Sequence, residues 1–208
     1  MTAQIAQACE ALAGRSHPLA VALKAINFEP YIRQRPGGYE GLFRIIVEQQ
    51  VSVPSAQAIL ARCKARIPDI SALTISEMSE KNLRACGLSG PKVRYVQAAA
   101  MAVLNGSLRL DGLVELDDEA AVNALCAVKG VGPWTAAIYL LFCEMRFDIW
   151  PRNDVALLAA YAAATGFSSK PAQKDFDDMA IAEWAPWRGV AAHILWTYYA
   201  KLRGRKPI

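Results

Sequence analysis

Residues 125–137 read Leu-Cys-Ala-Val-Lys-Gly-Val-Gly-Pro-Trp-Thr-Ala-Ala, two glycines separated by one apolar residue between two helical stretches. Gly130 and Gly132 permit a tight turn. The backbone N–H groups of that turn, and of the helix opening at Pro133 and running through Thr135, lack helical acceptors and suit a phosphate. Val131 between the glycines can anchor the turn in the core. A bare Gly-X-Gly is usually an ordinary helix connection, but the helical flanks and a proline at the first helical position favour the phosphate reading. The segment Gly87-Leu-Ser-Gly-Pro-Lys-Val echoes it, with Gly87 and Gly90 ahead of another helix start. Lys92 and Lys129, beside these turns, read either as phosphate contacts or as solvated surface charges. A carboxylate, Asp154, stands in Trp150-Pro-Arg-Asn-Asp-Val-Ala-Leu immediately before an apolar helix. Residue chemistry alone makes it a helix N-cap, a task Asn153 can share. Each tryptophan taken singly reads as core, and His17 and His193 have no partner at metal-ligand spacing.

The elements that must position these groups are helices. Ala-rich stretches with apolar residues three and four apart recur along the 208 residues, and strand-like alternation is nearly absent. The class is all-α, with helices expected over 5–13, 18–26, 39–48, 53–66, 75–85, 91–105, 118–127, 133–144, 154–164 and 186–201. Pro18, Pro91 and Pro133 suit first turns, Asp117 and Asp118 suit caps, and Gly87 and Gly106 suit helix ends. The Arg-Gln-Arg-Pro-Gly-Gly stretch over 33–38 reads as a linker, and the chain changes character again at 146–151. A single domain of two lobes follows. The 54% hydrophobic content includes no apolar run of bilayer length, since the longest is 155–164. No signal peptide is visible at the start, so the cytoplasm is the default. The five scattered cysteines form no C-x-x-C pair and read as small core residues. A net charge of +4 is compatible with nucleic acid.

The 125–137 segment resembles the helix-hairpin-helix of the base-excision DNA glycosylase superfamily that includes endonuclease III and 3-methyladenine DNA glycosylase II. The superfamily pattern continues through a Gly/Pro-containing loop to an Asp, which Asp154 supplies. Resemblance to the 3-methyladenine glycosylase II branch extends through Phe43-Arg-Ile-Ile-Val-Glu-Gln-Gln-Val-Ser-Val-Pro-Ser-Ala, Leu83-Arg-Ala-Cys-Gly-Leu-Ser-Gly-Pro-Lys and Trp184-Ala-Pro-Trp-Arg-Gly-Val-Ala-Ala, roughly residues 40–200. Two features depart from the pattern. Glu48 stands where many relatives have a small residue, and the chain leaves no room for the β-rich N-terminal domain of larger relatives.

The resemblance implies a two-lobed helical fold, one lobe over 39–148 with the hairpin at 119–144 and the other 1–38 plus 149–208, with its active site in the cleft between lobes. It makes Asp154 the catalytic carboxylate, stabilising an oxocarbenium-like sugar or positioning water. Trp134 occupies the place of the nucleophilic Lys of strand-cleaving relatives, so the resemblance implies a monofunctional enzyme without a lyase step. Trp134, Trp187, Trp150 and Trp184 become candidates for stacking a flipped base, the first two foremost. Gln50, or else Val51, becomes the wedge that fills the gap in the duplex, and Gly130, Gly132, Thr135, Lys129, Gly87, Gly90 and Lys92 become DNA contacts. In the family the hairpin holds a sodium or potassium ion through main-chain carbonyls, here those of Cys126, Val128 and Val131. No cofactor is required, and with no cysteine after Cys143 the C-terminal iron–sulfur cluster of the endonuclease III branch is not expected. The expected partner of this monomer is double-stranded DNA carrying damaged bases, the alkylated 3-methyladenine and 7-methylguanine and the deaminated hypoxanthine, at the nucleoid if the source is bacterial. The rival readings are a non-catalytic helix-hairpin-helix DNA-binding protein and a glycosylase for oxidised or mismatched bases.

Overall fold

A computed structural model describes residues 2–166 and 170–207, and among them helices are joined by turns without any strand. The chain forms two compact units, 35–144 and 1–34 with 145–208. No helix among the described residues is long and apolar enough to cross a membrane.

The unit over 35–144 is built on α3 (Gly38–Glu48), whose Leu42, Phe43, Ile45, Ile46 and Val47 are buried. It packs against α4 (Val53–Arg66), α7 (Gly90–Leu104) and α9 (Pro133–Cys143), while α8 (Asp118–Cys126) packs on α9. Two tyrosine hydroxyls tie these helices together. Tyr39 donates to the Val96 carbonyl at 2.7 Å, and Tyr139 accepts from Gly38 N at 2.9 Å. The single helix expected over 75–85 is two short ones, α5 (Ala72–Glu77) and α6 (Glu80–Ala85). The reason is Ser79, whose hydroxyl accepts from Asn82 N at 3.2 Å and starts a new helix while Met78 is extended.

The other unit contains α1 (Ala3–Arg15), α2 (His17–Ala25), α10 (Val155–Thr165), α11 (Gln173–Glu183) and α12 (Arg188–Leu202). Its centre is α12, which packs on α1, α2 and α10 and buries residues around its whole circumference. A helix from residue 186 is expected, but the first turn begins at Arg188. The sequence reading misses α11 altogether, because that helix is mostly polar and buries only Phe176, Asp177 and Ala180. Phe176 nevertheless joins Trp150, Trp184 and Tyr161 in a nest of edge-on and tilted rings with centroids 4.9–6.0 Å apart. Cys9, Cys63 and Cys86 are core residues as expected, whereas Cys126 and Cys143 are only half-buried.

Candidate functional site

The turn after α8 is closed by Val131 N donating to the Val128 carbonyl at 3.0 Å, with Val131 buried beneath it. Its two glycines differ. Gly130 has φ +89°, and a Cβ there would lie 2.1 Å from Cγ of Tyr95, so both conformation and packing demand glycine. Gly132 is in ordinary extended backbone as the N-cap of α9, and a Cβ there meets nothing within 4 Å. Its surroundings are open, as an N–H that is to receive a ligand requires. Lys129 at the tip is exposed.

Beside this turn lies the loop that leaves α3. Gln49 caps that helix and donates from Nε2 to the Gly130 carbonyl at 3.0 Å and to Thr135 Oγ1 at 2.9 Å. The next residue, Gln50, is exposed and left-handed at φ +53°, an uncommon conformation for a side chain larger than Asn. Val51 beyond it is 37% exposed. An open pocket of about 530 Å³ is lined by Gln49 and Gln50, by Tyr95, by residues 130–132, and by Trp134 with Thr135. Sequence reasoning missed both Gln49 and Tyr95. Gln49 stands inside the Phe43–Ala56 motif without being singled out by type, and Tyr95 lies just beyond the Leu83–Lys92 motif.

Two expected DNA contacts have other tasks. Thr135 is 4% exposed and braces the hairpin from inside through Gln49. Lys92 is buried, and its Nζ donates to the Val47 carbonyl at 2.6 Å, placing a cation on the C-terminal end of α3. Burial lowers its pKa, against the opposing influence of Glu48. Glu48, the departure from the family pattern, is itself held by Arg35 Nη2 at 2.8 and 2.6 Å. The second glycine turn is strongly basic. Arg62 fills the space against Gly87 (φ +98°) while its Nε donates to the Cys86 carbonyl at 2.9 Å, and Arg94 and Arg84 lie 3.6 and 4.0 Å from where a Gly90 Cβ would stand.

In the other unit Asp154 caps α10. Its Oδ1 accepts from Ala156 N at 2.9 Å and Leu157 N at 3.0 Å, as residue chemistry alone leads one to expect. The loop leading to it hangs on Asp177, which is 2% exposed. Trp150 Nε1 donates to Asp177 Oδ1 at 2.8 Å and Asn153 N, at φ +65°, to Oδ2 at 2.9 Å. Asp177 went unnoticed in the sequence because α11 itself was not legible. Asp148 is engaged by Arg188, whose Nε and Nη2 donate at 2.7 and 2.5 Å. Two expected stacking residues must be corrected. Trp184 is 0% and Trp150 7% exposed, so both rings belong to the hydrophobic core and neither presents a face to a ligand. Trp187 is only half-buried, as is Trp134 in its own unit. His193 is deeply buried, and desolvation chiefly, with Arg33 adding to it, lowers its pKa to about 4. Among the described residues no group of three or more His, Cys, Asp or Glu is placed to hold a metal.

Residues 43–186 match the HhH-GPD superfamily of base excision DNA repair proteins, and the chain belongs to that family. It is 30% identical over 174 residues to DNA-3-methyladenine glycosylase 1 of Schizosaccharomyces pombe, covering 82% of this chain and 76% of that protein. It is also 29% identical over 163 residues to the alkylbase DNA glycosidase-like protein mag2 of the same yeast, covering 76% of each. The fold superposes on S. pombe 3-methyladenine DNA glycosylase (Mag1) in complex with abasic DNA with a TM-score of 0.83 at 26% identity, covering 92% of this chain and 95% of that one. By this kinship the chain is a DNA glycosylase, an enzyme of N-glycosidic bond hydrolysis.

Proposed function

We propose that the chain binds double-stranded DNA as a monomer, flips out alkylated bases and hydrolyses their glycosidic bonds, leaving an abasic site in an intact strand. The observation that carries this reading is the pocket in which the open Gly132, the exposed Gln50 and Trp134 lie together. Gly132 and the start of α9 receive a phosphate, and Lys129 adds charge at the tip. Gln50 enters the duplex in place of the flipped nucleotide, with Val51 behind it. A second phosphate meets the Gly87–Gly90 turn among its arginines. Asp154 supplies negative charge to the sugar as the base leaves. Position 134 carries no amine, so no Schiff base forms there and the strand is not cut.

The names of the relatives support an alkylated substrate, and so does the chemistry. A purine methylated at N3 or N7 is cationic and leaves readily, and its charge suits the ring faces of Trp134 or Trp187, an attraction worth about 0.5–2 kcal/mol. The hairpin also suits a sodium or potassium ion. The Cys126 carbonyl lies at the C-terminal end of α8, where carbonyls lack intrahelical partners, the Val128 and Val131 carbonyls lie in the turn that follows, and Val128 O, which accepts from Val131 N, keeps a second lone pair. Such an ion would help to hold the turn against the phosphate.

Duplexes carrying single defined lesions test the reading, scored for free base and for strand integrity. We expect 3-methyladenine and 7-methylguanine to leave faster than hypoxanthine and all three faster than normal purines, with no adduct trapped by borohydride. Release confined to oxidised or mismatched bases, or a trapped adduct, overturns it.

A further inference from the structure

Three consecutive residues at the C-terminal end of α3 are each gripped from a distance in sequence: the Val47 carbonyl by Lys92, the Glu48 carboxylate by Arg35, and the Gln49 carboxamide by the hairpin. Immediately afterwards Gln50 adopts φ +53° and is exposed. A side-chain-bearing residue persists in that conformation when its surroundings over-determine it. The anchors at Val47 and Glu48 tie the end of α3 to Lys92 of α7 and to Arg35 ahead of α3. Gln49 instead reaches the phosphate-binding turn.

The geometry there is selective. Gly130 O can only accept, so the amide nitrogen of Gln49 must face it, and the same nitrogen reaches Thr135 Oγ1 on the first turn of α9. The Gly130–Val131 peptide is thus held at both ends, its oxygen by Gln49 and its N–H by the Val128 carbonyl. Because a peptide is planar, fixing both ends sets the point from which the next peptide departs, and that next peptide carries the Gly132 N–H.

We propose that Gln49 is a positioning residue that couples the wedge to the phosphate clamp. Through its carboxamide, seating a phosphate on the hairpin holds Gln50 in the pose from which it enters the duplex. The inference rests on the function proposed above and deepens it. Gln49 itself touches neither the base nor the sugar.

The test uses the full chain and a duplex containing 7-methylguanine beside 2-aminopurine, whose fluorescence reports extrusion. Gln49→Met keeps the length and removes both hydrogen bonds. Gln49→Lys restores a donor of similar reach. We expect Gln49→Met to lose about tenfold in both extrusion and single-turnover base release. Affinity for undamaged duplex should change less than about threefold, and melting by only a few degrees. Gln49→Lys should recover most of the loss, and Thr135→Val added to Gln49→Met should cost little more, because the two residues share one interaction. The proposal is overturned if Gln49→Met extrudes and excises like the wild type, if its losses merely follow melting or duplex affinity, or if Gln49→Lys is no better than Gln49→Met. Failure of the underlying function looks different, since the wild-type chain would then release no methylated base.

Discussion

The two units are both helical, yet they treat their polar side chains differently. Around the glycine turns and the end of α3 in 35–144, long side chains hold backbone carbonyls, Lys92 on Val47, Arg62 on Cys86 and Gln49 on Gly130, beside the Arg35–Glu48 ion pair. Around the Asp154 loop of the other unit the braces run to carboxylates, with Trp150 Nε1 and the Asn153 backbone N–H on Asp177 and Arg188 on Asp148, while elsewhere in that unit Arg15 and Lys201 reach the Ala185 and Ala25 carbonyls. The difference follows from what each unit offers. A turn that presents its own N–H groups needs its carbonyls fixed from behind. In the other unit the loop before Asp154 is held through Asp177, and Asp148 is occupied by Arg188.

Charge at Asp154 separates these two strategies most sharply. Asn caps a helix about as well as Asp, so Asp154→Asn should melt nearly normally and bind lesion DNA while base release falls about 10²–10³-fold. Retained release measured on purified variant would place the working carboxylate elsewhere.

Next in size is the contrast between the glycines. Gly130→Ala meets Tyr95 and a positive φ at once, and should cost about 2–4 kcal/mol, lowering the melting temperature by roughly 5–15 °C. Gly132→Ala has room for its Cβ and should melt normally while weakening duplex binding severalfold. Equal melting losses for the two would erase the distinction between a structural and a ligand-facing glycine.

The carboxylate unit should also be the acid-sensitive one. Buried His193 titrates near 4 when folded and near its ordinary 6.5 when unfolded. Between those values the unfolded chain binds the extra proton, so stability is full above pH 6.5 and falls as the pH drops towards 4, by up to about 3 kcal/mol. Denaturant melts of wild type and His193→Gln across that range should diverge accordingly. Parallel curves would show that His193 is not the titrating group.

The smallest expected effect concerns the lysines. Lys129→Met should reduce the slope of log affinity against log salt by about one. Lys92→Met should leave that slope unchanged, because its ammonium is already on Val47 O. A reduced slope for Lys92→Met would return that residue to the DNA surface.

Much of this molecule could be read along the chain. The glycine-rich hairpin, the caps at Asp117 and Asp154 and most helices are local matters, set by φ/ψ preferences and by side chains reaching backbone two or three residues away. The HhH-GPD kinship rests on the same local motifs. What the chain could not reveal was which groups are already engaged. Lys92 and Thr135 look like surface donors until burial removes them, and Trp150 and Trp184 look like stacking platforms until a ring nest encloses them. Helix α11 carries too weak an apolar pattern to announce itself, though it supplies the Asp177 that braces the Asp154 loop. Gln49 sits in the same Gln-Gln-Val-Ser segment as Gln50 but owes its importance to partners 81 and 86 residues away. Local sequence determined where the backbone turns and which groups can cap it. Tertiary packing decided which polar groups remain for a ligand, because desolvation and hydrogen-bond partnership depend on neighbours that only the folded chain brings together.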